Sequence, residues 1–282
     1  MLHTQGNSPK TDFSKWLLLT LALFILCPLL LAPFTRNLPT GFATLITAGL
    51  LFLFLFVHAF SIMGAKAAGK MFLTGVIIAY VFEEFAIHMN IGGGYYFTAL
   101  MGPKLDVVPL AIPLSWVGVL YIGWSMTNYL LDSAPTPRIN THPRIWLRAV
   151  VADLIITTID LAGDPVSVAN GLWVWKAGGP YFGVPVANYI GWFVIGTVTI
   201  LLHGYQEKKQ IHTAIDQAPR SLRLWTIAPL IIFAFITVSD VLSNFKGIFG
   251  TVQFFAMGGP CLLALIKWSD WYKITKSKGV TS

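Results

Sequence analysis

The sequence predicts an all-α, polytopic membrane protein of about eight transmembrane helices. Three observations carry this expectation. Of the 282 residues, 55% are hydrophobic and only 11% are charged, where a soluble domain carries about 25% charged residues. Eight apolar segments recur along the chain, most of them near the ~20 residues that a helix needs to cross a bilayer. The lysines and arginines also divide very unevenly between the two sides that eight crossings would create. Mean hydropathy is +0.69. In such a chain the net charge of +7 marks topology first, and no nucleic-acid partner is expected.

The segments are 16–34, 40–62, 70–90, 108–131, 146–163, 185–205, 222–243 and 248–268. The first follows Lys10 and Lys15 and lacks a small-residue cleavage site, so it reads as a helix rather than a signal peptide. Pro39 and Gly41 precede the second, and Gly64 separates it from the third. The third ends near the Gly92–Gly94 run. Pro109 and Pro185 open the fourth and sixth, where a missing backbone N–H costs nothing. Pro135, Pro137 and Pro143 mark the connection into the fifth, Asp164-Pro165 is expected to end it, and Pro219 precedes the seventh.

With eight crossings, one side receives both termini and the loops near 66, 140 and 212. That side holds 15 of the 19 lysines and arginines, leaving Arg36, Lys104, Lys176 and Lys246 for the other. The positive side is expected to be cytoplasmic. Trp16, Trp146, Trp225, Trp268 and Trp271 then form an aromatic belt at that interface. The expectation is one integral domain over 1–282 in the plasma membrane, with cytoplasmic tails at 1–15 and 272–282. Cys27 and Cys261 lie within apolar runs and predict neither a disulfide nor a metal site. Two loops on the other side, 91–107 and 164–184, are rich in glycine and aromatics and read as folded caps or re-entrant pieces.

A shift of 76 residues lays part of the chain on itself. Glu84 falls on Asp160, His88 on Asp164, Gly102 on Gly178, Val108-Pro109 on Val184-Pro185 and Trp116 on Trp192. Spans 3–4 and 5–6 therefore read as two copies of one unit. Membrane proteins with repeats often place a site between the copies.

Ionisable groups inside apolar helices are expensive and usually functional. Residues four or seven apart share a helix face, so Glu84 and His88 project together with Tyr80 a turn below. On the fifth span, Asp153, Thr157, Asp160 and Asp164 form one stripe. Glu84, His88, Asp160 and Asp164 are the candidate catalytic residues. Glu83, Asn188 and Asp153 are auxiliary candidates, with Glu83 the more dispensable glutamate because the shift lands it on Ile159. Asp240 ends the seventh span on the same side. Tyr95, Tyr96, Trp116, Trp173, Trp175 and Trp192 are candidate walls of a substrate pocket, since aromatic faces stabilise a desolvated cation. A carboxylic acid kept neutral at depth can donate a proton, and a carboxylate or imidazole can take one from water. Acid, aromatic box and depth together suit carbocation chemistry on an apolar olefin. The plainer alternatives are a satisfied histidine at His88, an interfacial Glu83, belt tryptophans, and an Asp153 that only pairs with Arg148. No metal site is expected. The D-x-x-x-D spacing of Asp160 and Asp164 lacks the basic partners that a magnesium-diphosphate site would need.

The run IDLAGDPVSVANGLWVWKAGGPYFGVPVANYIGWF at 159–193, with EEFAIH, GGGYYF and VPLAIPLSW upstream, resembles the integral-membrane carotenoid biosynthesis proteins that include the CruF-type carotenoid 1,2-hydratases. Members of that family act as γ-carotene or lycopene 1′,2′-hydratases and as bisanhydrobacterioruberin hydratase. The resemblance covers about residues 70–200. It implies addition of water to the terminal C1=C2 bond of an acyclic (ψ) carotenoid end, giving a tertiary alcohol. It also implies water and a lipid-soluble carotenoid such as lycopene or γ-carotene as substrates, other carotenoid-pathway enzymes as possible partners, and no cofactor. Two alternatives stay open: a proton-initiated carotenoid end-group cyclase, and a proton-coupled transporter.

Overall fold

A computed structural model describes residues 13–35, 41–207, 214–243 and 248–278, and most of it is helix. In chain order the helices are α1 Phe13–Thr35, α2 Phe42–Met63, α3 Ala65–His88, α4 Ala111–Asp132, α5 His142–Ala169, α6 Val186–Glu207, α7 Arg220–Trp225, α8 Ala228–Ser243 and α9 Ile248–Lys278. Four short strands lie in the connections: β1 Tyr95–Phe97, β2 Lys104–Leu105, β3 Val108–Pro109 and β4 Trp173–Trp175.

All-α architecture follows from the apolar segments, and each of the eight expected segments falls on a helix or, for the seventh, on the pair α7–α8. Among the described residues, five helical stretches are long and apolar enough to cross a bilayer: Phe42–Met63, Ala65–His88, Val186–Glu207, Arg220–Ser239 and Phe249–Ser277. That is fewer than the eight crossings expected. Helix α1 contributes only the shorter apolar run Ser14–Ile25, α4 and α5 fall outside the set because they are less apolar, and α4 is also the inner helix. Every residue of α4 from Leu120 to Tyr129 is buried, and α4 packs against α2, α3, α5, α6, α8 and α9. A helix wrapped in protein need not be apolar on every face. The outer helices show the complementary pattern. Leu73, Ile77, Val81 and Phe85 make an exposed apolar stripe at four-residue spacing on α3, and Val186, Ile190, Val194, Val198 and Leu202 make another on α6. Exposed stripes of this kind suit a lipid environment.

Two boundaries differ from expectation. Helix α5 does not stop at Asp164 but runs through Pro165 to Ala169. Proline removes the N–H that would bond the carbonyl four residues earlier. Here the Tyr181 hydroxyl donates to that carbonyl, Leu161 O, at 3.2 Å. Helix α9 likewise continues beyond residue 268 to Lys278, with Trp271 and Thr275 buried, so most of the expected tail from 272 is helical. Arg36 and the chain before Phe13 lie outside the described residues, as does the side chain of Asp240.

The two glycine-rich loops form one cap. Strand β1 from the first pairs antiparallel with β4 from the second, with Tyr95 opposite Trp175 and Phe97 opposite Trp173. Tyr95 and Phe97 point inward and Tyr96 outward, as alternation along a strand requires. The cap contains two further short pairings 76 residues apart: Leu105 with Val108, and Tyr181 with Val184. Asp106 and Phe182, also 76 apart, both take left-handed backbone with φ of 49° and 51°. The cap is pinned to α2 by a close approach of Gly41 and Gly102. Both have positive φ, and a Cβ on Gly41 would lie 2.0 Å from Gly102 N.

Candidate active site

Beneath the cap, the helix ends enclose a cavity of about 240 Å³ bounded by α3, α4, α5 and α6, with Thr44 of α2 at its edge. Its acidic side is built from α5 and α6. Asp160 and Asp164 lie one turn apart on α5 and are 4% and 5% exposed. Asn188, in the first turn of α6, donates from Nδ2 to Asp160 Oδ2 at 2.9 Å and to Asp164 Oδ2 at 2.5 Å. One amide thus holds a carboxyl pair in a fixed arrangement.

The facing acid is Glu83, 6% exposed. Tyr95 Oη donates to Glu83 Oε2 at 2.5 Å. Burial first, and then the Glu83 charge, pushes the Tyr95 phenol above its ordinary range, so it stays a donor. Aromatic rings complete the wall. The Trp116 and Trp192 rings, from α4 and α6, stack with centroids 4.0 Å apart at 17°. Tyr95 lies 4.5 Å from Trp175, and Phe97 meets Trp173 edge-on. Trp175 Nε1 is buried with no hydrogen-bond partner among the described residues, which leaves it a donor for water or a ligand.

The structure thus brings together Asp160, Asp164, Glu83, Asn188, Tyr95, Trp116, Trp173, Trp175 and Trp192. It does not bring Glu84 and His88 to them. These two share a face as expected, with His88 Nε2 3.0 Å from Glu84 Oε1, but that face points away from the cavity. Their third neighbour is Asp106 of the cap, whose Oδ2 is 3.4 Å from His88 Nε2. The reason is helix phase. Phe72, Gly75, Ala79, Glu83 and Ala86 form the buried stripe of α3, and Glu84 is turned about 100° off it. The 76-residue shift paired Glu84 with Asp160, whereas Glu83 holds the opposing position in the cavity. Tyr96 is also outside, on the outer face of β1 and 48% exposed.

Asp153 is fully buried but lies two turns further along α5, outside the cavity lining. It accepts from Thr197 Oγ1 at 3.0 Å and does not pair with Arg148, which bonds Asn128, Asn140 and Asp132 instead. A Cβ on Gly196 would sit 1.8 Å from Asp153 Oδ1, so glycine makes the room for this carboxylate. Lining residues that sequence reasoning missed include Ser115, Ser167, Phe97 and Met101. Phe97 had a signal in its strand alternation with Tyr95; the two serines had none. Glu84, His88 and Asp106 also place one ligand atom each within 4.8 Å of one another, a spacing that one divalent cation could bridge.

The sequence profile described as carotenoid biosynthesis protein matches residues 41–257. A bisanhydrobacterioruberin hydratase from Haloarcula japonica is 26% identical over 133 residues, 47% of this chain and 40% of the relative. The chain thus matches less than half the length of that curated protein. No solved structure matches. The profile spans the cavity, the cap and most of the apolar helices around them, and the chain is therefore a member of the carotenoid biosynthesis protein family.

Proposed function

We propose that the chain is a carotenoid hydratase that adds water to the terminal C1=C2 bond of an acyclic ψ end group. The observation that carries this reading is the cavity under the cap, lined by a carboxyl pair, a tyrosine-bound carboxylate and two stacked indoles. The hydratase name of the Haloarcula relative supports it.

Hydration begins with proton transfer to C2, which leaves a tertiary cation at C1. The Asp160–Asp164 pair is the acid. Two buried carboxyls held by one amide share a proton rather than carry two charges. The Trp116–Trp192 stack and Trp173 shelter the cation through their π faces. Water adds to C1 and loses its proton to Glu83, whose other partner is Tyr95. Return of that proton to the aspartate pair resets the site. One hydrogen goes to C2 and one hydroxyl to C1, with no redox change, so the reaction needs no redox cofactor. In this reading the proton from water goes to the Glu83–Tyr95 pair, and His88, one of the candidate catalytic residues of the sequence, takes no part.

Eight crossings with both termini cytoplasmic, a plasma-membrane location and an internal repeat of spans 3–4 and 5–6 belong to this proposal. The repeat is supported by the paired hairpins 76 residues apart and by the contact of Trp116 with Trp192.

The test is expression in a host that accumulates lycopene or γ-carotene, with pigments read by mass. The wild type adds one water per acted end. Asp160→Asn and Asp164→Asn should each lower the product by about 10²- to 10⁴-fold, the usual contribution of a general acid, with unchanged membrane insertion. Full product from both variants would overturn the assignment. A cyclic product of unchanged mass would point to the cyclase instead.

A further inference from the structure

The end of the bundle opposite the cap holds a second cavity, of about 990 Å³. It lies among the α4–α5 connection, the turn at 214–217, α7 and the last turns of α9. Arg138, Arg220 and Arg223 line it together with Asp216 and Asp270. These charges do not cancel locally. Asp216 is committed: Arg138 Nη2 donates to its Oδ1 at 2.5 Å, and Trp271 Nε1 donates to the same oxygen at 2.9 Å. Asp270 is exposed. No carboxylate of the described residues lies within ion-pair distance of Arg220 or Arg223.

Arg223 is the informative one. It is only 9% exposed. Its Nη1 donates to the Thr275 carbonyl at 2.5 Å, and its Nε has no partner among the described residues. A guanidinium buried without a counter-charge is costly. Arg220, one turn away on α7, is exposed and donates from Nε to Tyr272 Oη at 3.2 Å. Both guanidiniums line the cavity, and each carries the planar N–H fork that matches phosphate oxygens. Trp225 and Trp268, both half-buried, lie at the same end, the level at which indoles meet lipid headgroups.

We propose that this cavity binds a phosphate group, supplied by an anionic phospholipid headgroup or by free phosphate, with Arg220 and Arg223 as its ligands. The site is separate from the cavity under the cap, and its test does not depend on the hydratase reading.

The experiment follows thermal unfolding of the full chain in maltoside micelles, in two arms. One adds inorganic phosphate at constant ionic strength against sodium chloride. The other adds phosphatidylglycerol. Native mass spectrometry of the same preparation records any anionic lipid carried through purification. A midpoint rise of about 5 °C at saturation is expected in at least one arm. A rise with phosphate alone assigns free phosphate. A rise with phosphatidylglycerol alone, or a retained lipid, assigns the headgroup, and a rise in both assigns the shared phosphate chemistry. Arg220→Gln and Arg223→Gln must each abolish the rise or the lipid retention. Arg220 is exposed, so its variant keeps the test alive if Arg223→Gln does not fold. No rise and no retained lipid, or an equal response in Arg220→Gln, overturns the proposal.

Discussion

One residue step along α3 separates a carboxylate inside the cavity from one outside it. Glu83 faces Asp160 and Asp164 across the aromatic box, while Glu84 bonds His88 near the surface. On the proposed chemistry, Glu83→Gln should reduce hydrated carotenoid by at least about 10²-fold, as loss of a base does. Glu84→Gln and His88→Ala should leave pigment yield near wild type, and equal losses from Glu83→Gln and Glu84→Gln would refute this division. The sequence held the information to separate the two glutamates. Gly75, Ala79 and Ala86 are small residues at helical spacing with Glu83, and small residues mark the face that packs against other helices. The 76-residue match drew attention to Glu84 because it aligned acid with acid. It carried no information about helix phase at that residue.

At the scale of elements, α5 is the helix that departs most from its sequence signals. Pro165 looks like a terminator, yet the helix continues for four more residues because Tyr181 returns a donor to the Leu161 carbonyl. That donor comes from the cap, far along the chain from the proline, so no local pattern announces it. The continuation matters to the site, since Asp164 and Ser167 line the cavity from helical positions. Tyr181→Phe should therefore cost about 1–3 kcal/mol, the penalty for a buried carbonyl left unpaired, read as a lower unfolding midpoint in detergent. An unchanged midpoint would mean that water replaces the hydroxyl. The cap itself was half legible. Loops 91–107 and 164–184 read as folded from their glycines and aromatics, but the register of Tyr95 against Trp175 depends on how the helices beneath them pack.

Across the whole molecule, buried polar groups lie under the cap, midway along α5 at Asp153, and at the opposite end of the bundle. Those under the cap serve the candidate chemistry, and those at the opposite end tie helices together. There Arg148, 3% exposed, bonds Asn128, Asn140 and Asp132, linking α5 to α4 and its following loop. Removing one partner of a buried ion pair leaves an uncompensated charge, whereas removing both is often mild. Arg148→Met alone should destabilise by about 3–5 kcal/mol, and Arg148→Met with Asp132→Leu should recover most of that loss. Chemical unfolding of the single and double variants measures the difference. Such pairings were beyond sequence reasoning, which offered Asp153 as a partner for Arg148. Four-residue and seven-residue spacings place residues on a face but do not say which neighbouring helix the face meets.

The cap has a consequence for what the protein can discriminate. A strand from each loop closes the bundle end over the acids, and about 240 Å³ of space remains beneath it. On the proposed function, such a volume holds the tip of a long polyene and little more, and the rest of the substrate trails out between helices into the bilayer. A catalyst built this way inspects the terminus of its substrate and is indifferent to overall length. On the proposed chemistry, acyclic carotenoids of shorter and longer backbone bearing the same ψ terminus should be hydrated at rates within about tenfold of one another, or 1.4 kcal/mol. Competition between such pigments in one host would measure that tolerance directly.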